Sequence, residues 1–383
     1  MARRKSRWPP RVTELYVGLM SGTSADGVEA ALVAIEAGRA RLRHACYQAF
    51  SAGLHGDIHA LAHGTYVDDD PIESLGALDV RLGEVFAETV LQVIAEAGAD
   101  VREVRAIGSH GQTIRHRPDG PAPFTLQIGD PNTIAARTGI TTVADFRRRD
   151  VALGGEGAPL APAFHQAVFA APDEARAVLN LGGIANLTLL EPGRDVRGFD
   201  CGPANTLLDA WATRHGAGPI DRDGALARAG RLHSLLLETL LEDDYFQRPP
   251  PKSSGPEHFN LQWLDAALAG LKESPTPADI QATLVALTAT TIAHGLRAQA
   301  HRIRRLYVCG GGVHNPAVMD ALQQALPDVA IASTAQLGVD PDYVEAMAFA
   351  WLAHRTLESQ PGNLPAVTGA REPAVLGVIC PGS

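Results

Sequence analysis

The chain has 383 residues and a mass of 40.4 kDa, enough for two domains with full hydrophobic cores. Hydrophobic residues make up 45% and charged residues 20%, and a net charge of −10 with a pI of about 5.8 argues against nucleic acid or an anionic membrane as the main partner. Cys46, Cys201, Cys309 and Cys380 are scattered without a CxxC pair, which fits a reducing compartment better than a disulfide framework.

Residues 1–11 are basic, but no signal-peptide core follows them, because the apolar run 15–20 is too short and leads straight into a polar turn. A twin-arginine export signal fails for the same reason, and no apolar run approaches the roughly 20 residues of a membrane span. The expectation is a disordered tail over 1–12 on a cytoplasmic protein.

Residues 15–20, 28–35 and 42–50 read as three consecutive antiparallel strands. The first turn is Ser21-Gly22-Thr23-Ser24-Ala25-Asp26-Gly27, running into Val28. Gly22 and Gly27 let backbone approach a ligand, successive N–H groups form an anion nest, and Ser21, Thr23 and Ser24 add hydroxyl donors. Asp26 would repel a bare phosphate, so it points to a divalent cation held directly or through water. The competing reading is a glycine-serine hairpin turn capped by an Asx interaction.

Helical periodicity over 75–97 follows, with Gly98 in the position of a C-terminal cap. His55, His59 and His63 fall four apart on what reads as a half-exposed helix face; without cysteine, glutamate or an HExxH pattern, no structural zinc is expected there. A buried strand over 104–108 ends in Ser109-His110-Gly111-Gln112-Thr113. A short helix over 132–139 and a strand over 141–144 close the first half. The order then starts again. A strand over 177–181 meets Gly182-Gly183, returns through 187–190, and a third strand ends at Asp200. Later a strand over 305–309 runs into Gly310-Gly311-Gly312, and a helix begins near Pro316. The repetition lies in element order alone, with no residue-level repeat. Residues 220–270 interrupt the second half, with a proline-rich loop over 248–256 between helices. A final amphipathic helix spans 344–357.

Taken together, the segments resemble the anhydro-N-acetylmuramic acid kinases, of the superfamily that includes sugar kinases, Hsp70 and actin. The resemblance rests on residues 20–27, Ser109-His110-Gly111-Gln112-Thr113, Leu126-Gln127-Ile128-Gly129-Asp130, Asp145-Phe146-Arg147 and Gly154-Gly155-Glu156-Gly157-Ala158-Pro159-Leu160. It continues through Asn180-Leu181-Gly182-Gly183-Ile184-Ala185-Asn186, residues 198–205, Lys252-Ser253-Ser254-Gly255, residues 309–315 and Val344-Glu345-Ala346. It spans about 15–370 in the family's order. Ala25, Glu29, Cys201, Ala204 and Pro256 depart from common family residues; none removes a carboxylate or glycine the chemistry needs, but Pro256 stands where an arginine is frequent.

The resemblance implies an α/β, two-domain, actin-like (ribonuclease H-like) fold, each domain a mixed five-stranded sheet flanked by helices, with an active-site cleft between domains. The expected division is 13–144 plus about 358–383 for the first domain and 145–357 for the second. It also implies ATP-dependent opening of the anhydro ring with water and phosphorylation of O6, in cell-wall sugar recycling, with ATP and Mg²⁺ as cofactors and a homodimer as the assembly. Asp200, at a strand end before a glycine and a proline, is the expected base, taking a proton from the attacking water; the competing reading is a helix N-cap or Asx turn. Expected ATP contacts are Ser21, Gly22, Thr23, Ser24, Ala25, Asp26, Gly27 and Val28, then Gly182, Gly183, Gly310, Gly311, Gly312 and Asn315, with Asp26 on Mg²⁺. Expected sugar contacts are His110, Gln112, Thr113, Arg115, Asp130, Asn132, Arg147 and Glu345. Within Arg147-Arg148-Arg149, at least one arginine reads as part of a solvated basic run. No Walker A pattern occurs, so a P-loop fold is not expected. A conventional hexose or amino-sugar kinase and a non-catalytic sugar or nucleotide sensor are the alternatives.

Overall fold

The computed structural model describes residues 13–22, 24–36, 38–65, 70–250, 252–255, 258–273, 275–299 and 302–383. The basic tail, Thr23, Pro251 and Pro256 lie outside the described residues. The chain divides into two compact units, one containing the chain up to Ala152 with 345–362 and 374–383, the other 153–344 with 363–373.

The strands of the first part of the chain are β1 (Glu14–Met20), β2 (Gly27–Glu36), β3 (Arg39–Ala49), β4 (Val104–Ser109), β5 (Gln112–Arg117), β6 (Phe124–Ile128) and β7 (Thr142–Ala144). Those that follow are β8 (Arg176–Leu181), β9 (Ile184–Leu190), β10 (Arg197–Pro203), β11 (Arg305–Cys309) and β12 (Ala330–Ser333), and β13 (Val378–Cys380) ends the chain. The first unit's main sheet runs β13-β7-β4-β1-β2-β3 and the second unit's runs β10-β9-β8-β11-β12. In both, an antiparallel three-stranded meander is extended by strands parallel to its first member. This shared order is the ribonuclease H-like arrangement of the actin-like class. The five strands expected for the first domain become six, because β13 pairs antiparallel with β7 at the sheet edge.

The first unit's core forms where the apolar face of the meander meets the helix Pro71–Glu96. Leu78, Leu82, Phe86, Val90, Val93 and Ile94 recur at helical spacing and pack with Val17, Leu19, Val28 and Ala30. Asp70 caps that helix by accepting from the N–H groups of Ile72 and Glu73. The sequence reading starts the helix four residues late, since its first turn carries few apolar residues. Gly98 adopts the expected left-handed conformation at the other end, with φ of 66°.

On the opposite sheet face lies the helix Val344–Leu357, against backbone rather than side chains. A Cβ on Gly18 would stand 1.8 Å from the Ala346 carbonyl oxygen, and one on Gly108 2.0 Å from that of Phe349. These glycines admit the helix, which sequence reading had assigned with the second half.

In the second unit the helix Pro277–Gln299 and the helix Asn205–Arg214 cover the sheet, with Leu284, Leu287, Ile292, Leu207 and Leu208 in one core with Leu179, Leu187 and Phe199. Among the described residues of 220–270, short helices contribute Leu236, Leu240, Tyr245, Phe246 and Leu264 to that core, and Phe259, just before the helix Leu261–Ala269, joins them. Among the described residues, no helix is long and apolar enough to cross a membrane.

Candidate active site

In the first unit, β1 and β2 are joined by the turn that carries most of the expected phosphate contacts. Ala25 N–H donates to the Gly22 carbonyl at 3.2 Å, and Ala25 itself has φ of 52°. The left-handed position thus falls on alanine, not on either glycine. A Cβ on Gly22 would meet nothing within 4 Å, whereas one on Gly27 would lie 2.4 Å from the Tyr47 hydroxyl. Gly27 therefore makes room for Tyr47 on β3. Val28 is fully buried in the core, which leaves its side chain no part in contacting a ligand.

Ser21 is buried, its hydroxyl 2.7 Å from the Gly27 carbonyl and 2.6 Å from Gln112 Oε1. Gln112 Nε2 in turn donates to the Gly22 carbonyl at 3.2 Å. Both side chains hold the turn closed, a use that spacing in the sequence does not show. Ser24 and Asp26 are exposed, and the Ser24 hydroxyl donates to Asp26 Oδ1 at 2.9 Å. An exposed carboxylate on a turn of backbone amides fits Mg²⁺, which draws its other ligands from phosphate oxygens and water. Among the described residues no group of three or more His, Cys, Asp or Glu is placed to hold a metal ion.

A second polar group sits at the end of β4 and on the β5–β6 hairpin. His110 is buried and its Nε2 accepts from Arg147 Nε at 2.9 Å. Burial, and then the Arg147 charge, hold its pKa well below the usual value, so the ring is neutral. Burial also brings Arg147 down to about 10, while Glu345 and Asp150 act in the opposite direction. Arg147, His110 and Glu345 are therefore brought together, while Arg148 and Arg149 are exposed, as a solvated run requires. Thr113 faces Gln127 across the hairpin, and Gln127 Nε2 donates to Thr113 Oγ1 at 3.2 Å and to Thr125 Oγ1 at 2.7 Å. His116 Nδ1 lies 3.0 Å from the same Thr125 hydroxyl. Arg115 instead turns to the Leu61 carbonyl at 3.5 Å.

Sequence reasoning missed Ser109, His116, Thr125 and Gln127. Ser109 Oγ, His116 Nε2 and Gln127 Oε1 are buried without a hydrogen-bond partner, in a group otherwise dense with donors and acceptors. Ser109 and Gln127 fall inside segments that carry the family resemblance, and Thr125 and Gln127 alternate with Leu126, whereas the bulge between Thr113 and Arg115 hides His116 from any period-two pattern.

Asp130 and Asn132 belong elsewhere. Asp130 caps the helix Pro131–Thr138, with Oδ1 accepting from Asn132 N–H at 3.0 Å and Oδ2 from Thr133 N–H at 2.9 Å. Asn132 Nδ2 adds a bond of 3.1 Å to the same carboxylate. Asp130 thus caps the helix, and Asn132 braces the capping carboxylate.

In the second unit the turn at Gly182 and Gly183 meets the start of the helix Asn205–Arg214. Asn205 N–H donates to the Gly182 carbonyl at 3.1 Å, and the N–H groups of Ala204 and Thr206 donate to that of Gly183 at 3.0 and 3.1 Å. Gly310 and Gly312 pack on the end of β8: a Cβ on Gly310 would stand 2.3 Å from Asn180 Oδ1, and one on Gly312 2.6 Å from Leu181 Cβ. Gly311 alone of the three leaves room, its nearest neighbour 4.0 Å away. Asn315 caps the helix Pro316–Ala325, its Oδ1 accepting from Ala317 N–H at 3.1 Å.

Asp200 lies on β10 opposite Asn186, and the register shifts before Gly202 pairs with Ala185. Cys201 is the extra residue of this bulge, a device that re-aims the neighbouring side chain. The N-cap position of the following helix is Ala204, without a side-chain bond. Asp200 is therefore not that helix's cap. Its N–H donates to the Lys252 carbonyl at 3.1 Å, its carbonyl accepts from the Tyr245 hydroxyl at 3.0 Å, and its Oδ2 accepts from Ser254 N–H at 3.0 Å. Ser253 Oγ donates to Glu156 Oε2 at 2.9 Å, tying the same segment to the Gly-Gly-Glu-Gly loop.

Two ribonuclease H-like sheets, each with a polar or glycine turn at its strand ends, define the actin-like α/β class. The family model for anhydro-N-acetylmuramic acid kinase matches residues 14–382. The anhydro-N-acetylmuramic acid kinase of Xylella fastidiosa is 51% identical over 375 residues, covering 97% of this chain and 97% of that protein. Those of Xanthomonas campestris pv. campestris strain 8004 and Coxiella burnetii strain Dugway 5J108-111 are 52% and 50% identical, each covering 96% of this chain and 97% of the relative. The chain belongs to the anhydro-N-acetylmuramic acid kinase family.

Proposed function

We propose that the chain uses ATP and water to convert 1,6-anhydro-N-acetylmuramic acid to N-acetylmuramic acid 6-phosphate and ADP. Asp200 accepts a proton from water, the water oxygen bonds to C1, and the C1–O6 bond breaks. O6 bonds to the γ-phosphorus as the bond to the ADP oxygen breaks. The observation that carries this reading is Asp200 itself, released from helix capping, aimed by a bulge and held by Ser254 N–H.

The backbone of the 21–27 turn is proposed to take the phosphates, with Ser24 and Asp26 as its exposed polar side chains. Asp26 would hold Mg²⁺, which when bound neutralises charge on the phosphate oxygens. His110, Arg147 and Glu345 with the hairpin group at Thr113 and Gln127 are proposed to bind the sugar, Arg147 pairing with its lactyl carboxylate. The setting is the cytoplasmic reuse of cell-wall sugar, and the assembly a homodimer.

The test is product analysis in ¹⁸O-water, together with ATP consumption on the anhydro-sugar and on N-acetylmuramic acid. Label on C1 and consumption with the anhydro-sugar are expected. Unlabelled C1 with phosphorylation of N-acetylmuramic acid would establish a conventional sugar kinase instead.

A further inference from the structure

We propose that Lys252 is a positioning residue that keeps the Asp200 carboxylate charged and aimed. This rests on the reading of Asp200 as the base for water.

The geometry begins with Tyr245, which is fully buried among Phe246 and Phe259 and serves as a post. Its hydroxyl holds the Asp200 carbonyl at 3.0 Å. Its own carbonyl accepts from Lys252 Nζ at 3.1 Å, and the ammonium lies 4.6 Å from the centre of its ring. The Lys252 carbonyl accepts the Asp200 N–H at 3.1 Å, and two residues on, Ser254 N–H reaches Asp200 Oδ2 at 3.0 Å. One residue of β10 is thus fixed through its N–H, its carbonyl and its carboxylate by a single short segment and the tyrosine beneath it. A lysine needed only to close a loop has no need of a half-buried ammonium there, and burial disfavours that charge.

Among the described residues, Asp200 and Arg248 both act on the Lys252 ammonium, Asp200 in the favourable direction and Arg248 against it. Glu156 is the opposing carboxylate and is occupied by the Ser253 hydroxyl. Burial pushes the Cys201 thiol and the Tyr245 phenol upward, so both stay neutral at working pH. Lys252 is therefore the cation anchored on the same post as Asp200. A base must be ionised to accept a proton, and a nearby cation favours the ionised carboxylate.

The experiment is the pH dependence of kcat/KM for Lys252→Met, Lys252→Arg and Asp200→Asn, with ATP and the anhydro-sugar. Lys252→Met is expected to move the acidic limb to higher pH by about one unit, an approximately tenfold loss at acidic pH that recovers on the alkaline side. Lys252→Arg is expected to restore the limb. A rise in KM for ATP without any movement of the limb would make Lys252 a phosphate ligand and overturn the proposal. If Lys252→Met does not fold, Lys252→Gln keeps a donor for the Tyr245 carbonyl and reads the same shift; failure of both to fold would assign Lys252 to the fold and also overturn it. Full turnover by Asp200→Asn would instead refute the base itself, a result distinct from a normal limb in a chain that still needs Asp200.

Discussion

The Ser21 hydroxyl stands 2.6 Å from Gln112 Oε1, joining the β1–β2 turn to the start of β5 across 91 positions of chain. Gln112 is 1% exposed and spends its Nε2 on the Gly22 carbonyl, so the turn is braced from beneath by one side chain. Gln112→Ala leaves the Ser21 hydroxyl with the Gly27 carbonyl and removes one of the two donors to the Gly22 carbonyl, the Ala25 N–H remaining. A loss of roughly 1–3 kcal/mol of stability is expected, with a higher KM for ATP and little change in KM for the sugar. Thermal unfolding and two substrate titrations check this. A rise confined to the sugar KM would return Gln112 to the sugar.

Asp26 offers the clearest test of the turn's chemistry. It is exposed and accepts from the Ser24 hydroxyl at 2.9 Å, so Asp26→Asn removes charge without disturbing the core. The melting temperature is expected to stay within a degree or two, and the Mg²⁺ concentration for half-maximal turnover to rise severalfold. Normal turnover at limiting Mg²⁺ would remove the metal role.

Much of the fold is legible in sequence because apolar periodicity and glycine caps are local signals. The strands of both meanders, the long helix ending before Gly98 and the final helix all follow from them. What is illegible is tertiary. That Asp130 and Asn315 cap helices appears only once those helices are in place. That Gly27, Gly310 and Gly312 make room for Tyr47, Asn180 and Leu181 depends on strands far away in sequence. Lys252 and Ser254 become part of the Asp200 environment only when a segment 52 to 54 positions downstream folds back onto β10, which no spacing rule announces.

Gly18 tests the packing of the final helix. A Cβ there would lie 1.8 Å from the Ala346 carbonyl oxygen and 2.6 Å from the Ala350 nitrogen, both backbone atoms that cannot rotate away. Gly18→Ala is expected to destabilise the protein by about 3 kcal/mol or more, read by denaturant unfolding, whereas Gly22→Ala, with open space around it, is expected to be near neutral.

Asp200→Asn keeps the size of the side chain and an acceptor for Ser254 N–H while removing the proton acceptor. Turnover is expected to fall by about 10²–10⁴-fold, with binding of ATP and anhydro-sugar far less affected. Because the cap of the next helix is Ala204, the melting temperature is expected to hold. Near-normal turnover would move the role to Glu345.

Buried histidines make stability depend on pH in a stated direction. His165 is 1% exposed, with Nδ1 2.9 Å from the Thr188 hydroxyl and Nε2 buried without a partner, and burial lowers its pKa to about 3. Burial likewise takes His116 to about 4, with the charges of Arg147 and Arg117 adding to it. In the unfolded chain such a ring titrates near 6.5. Below that pH the unfolded state binds protons that the folded state refuses, so stability present above about 6.5 is lost as the pH falls towards 4 and then 3. The slope for His165 is at most about 1.4 kcal/mol per pH unit. Denaturant unfolding from pH 8 to pH 4 on the wild-type chain and on His165→Gln checks it. Gln does not titrate, so the variant is expected to start less stable at pH 8 and to lose stability more gently below 6.5. Parallel curves would show that His165 is not a source of the acid sensitivity.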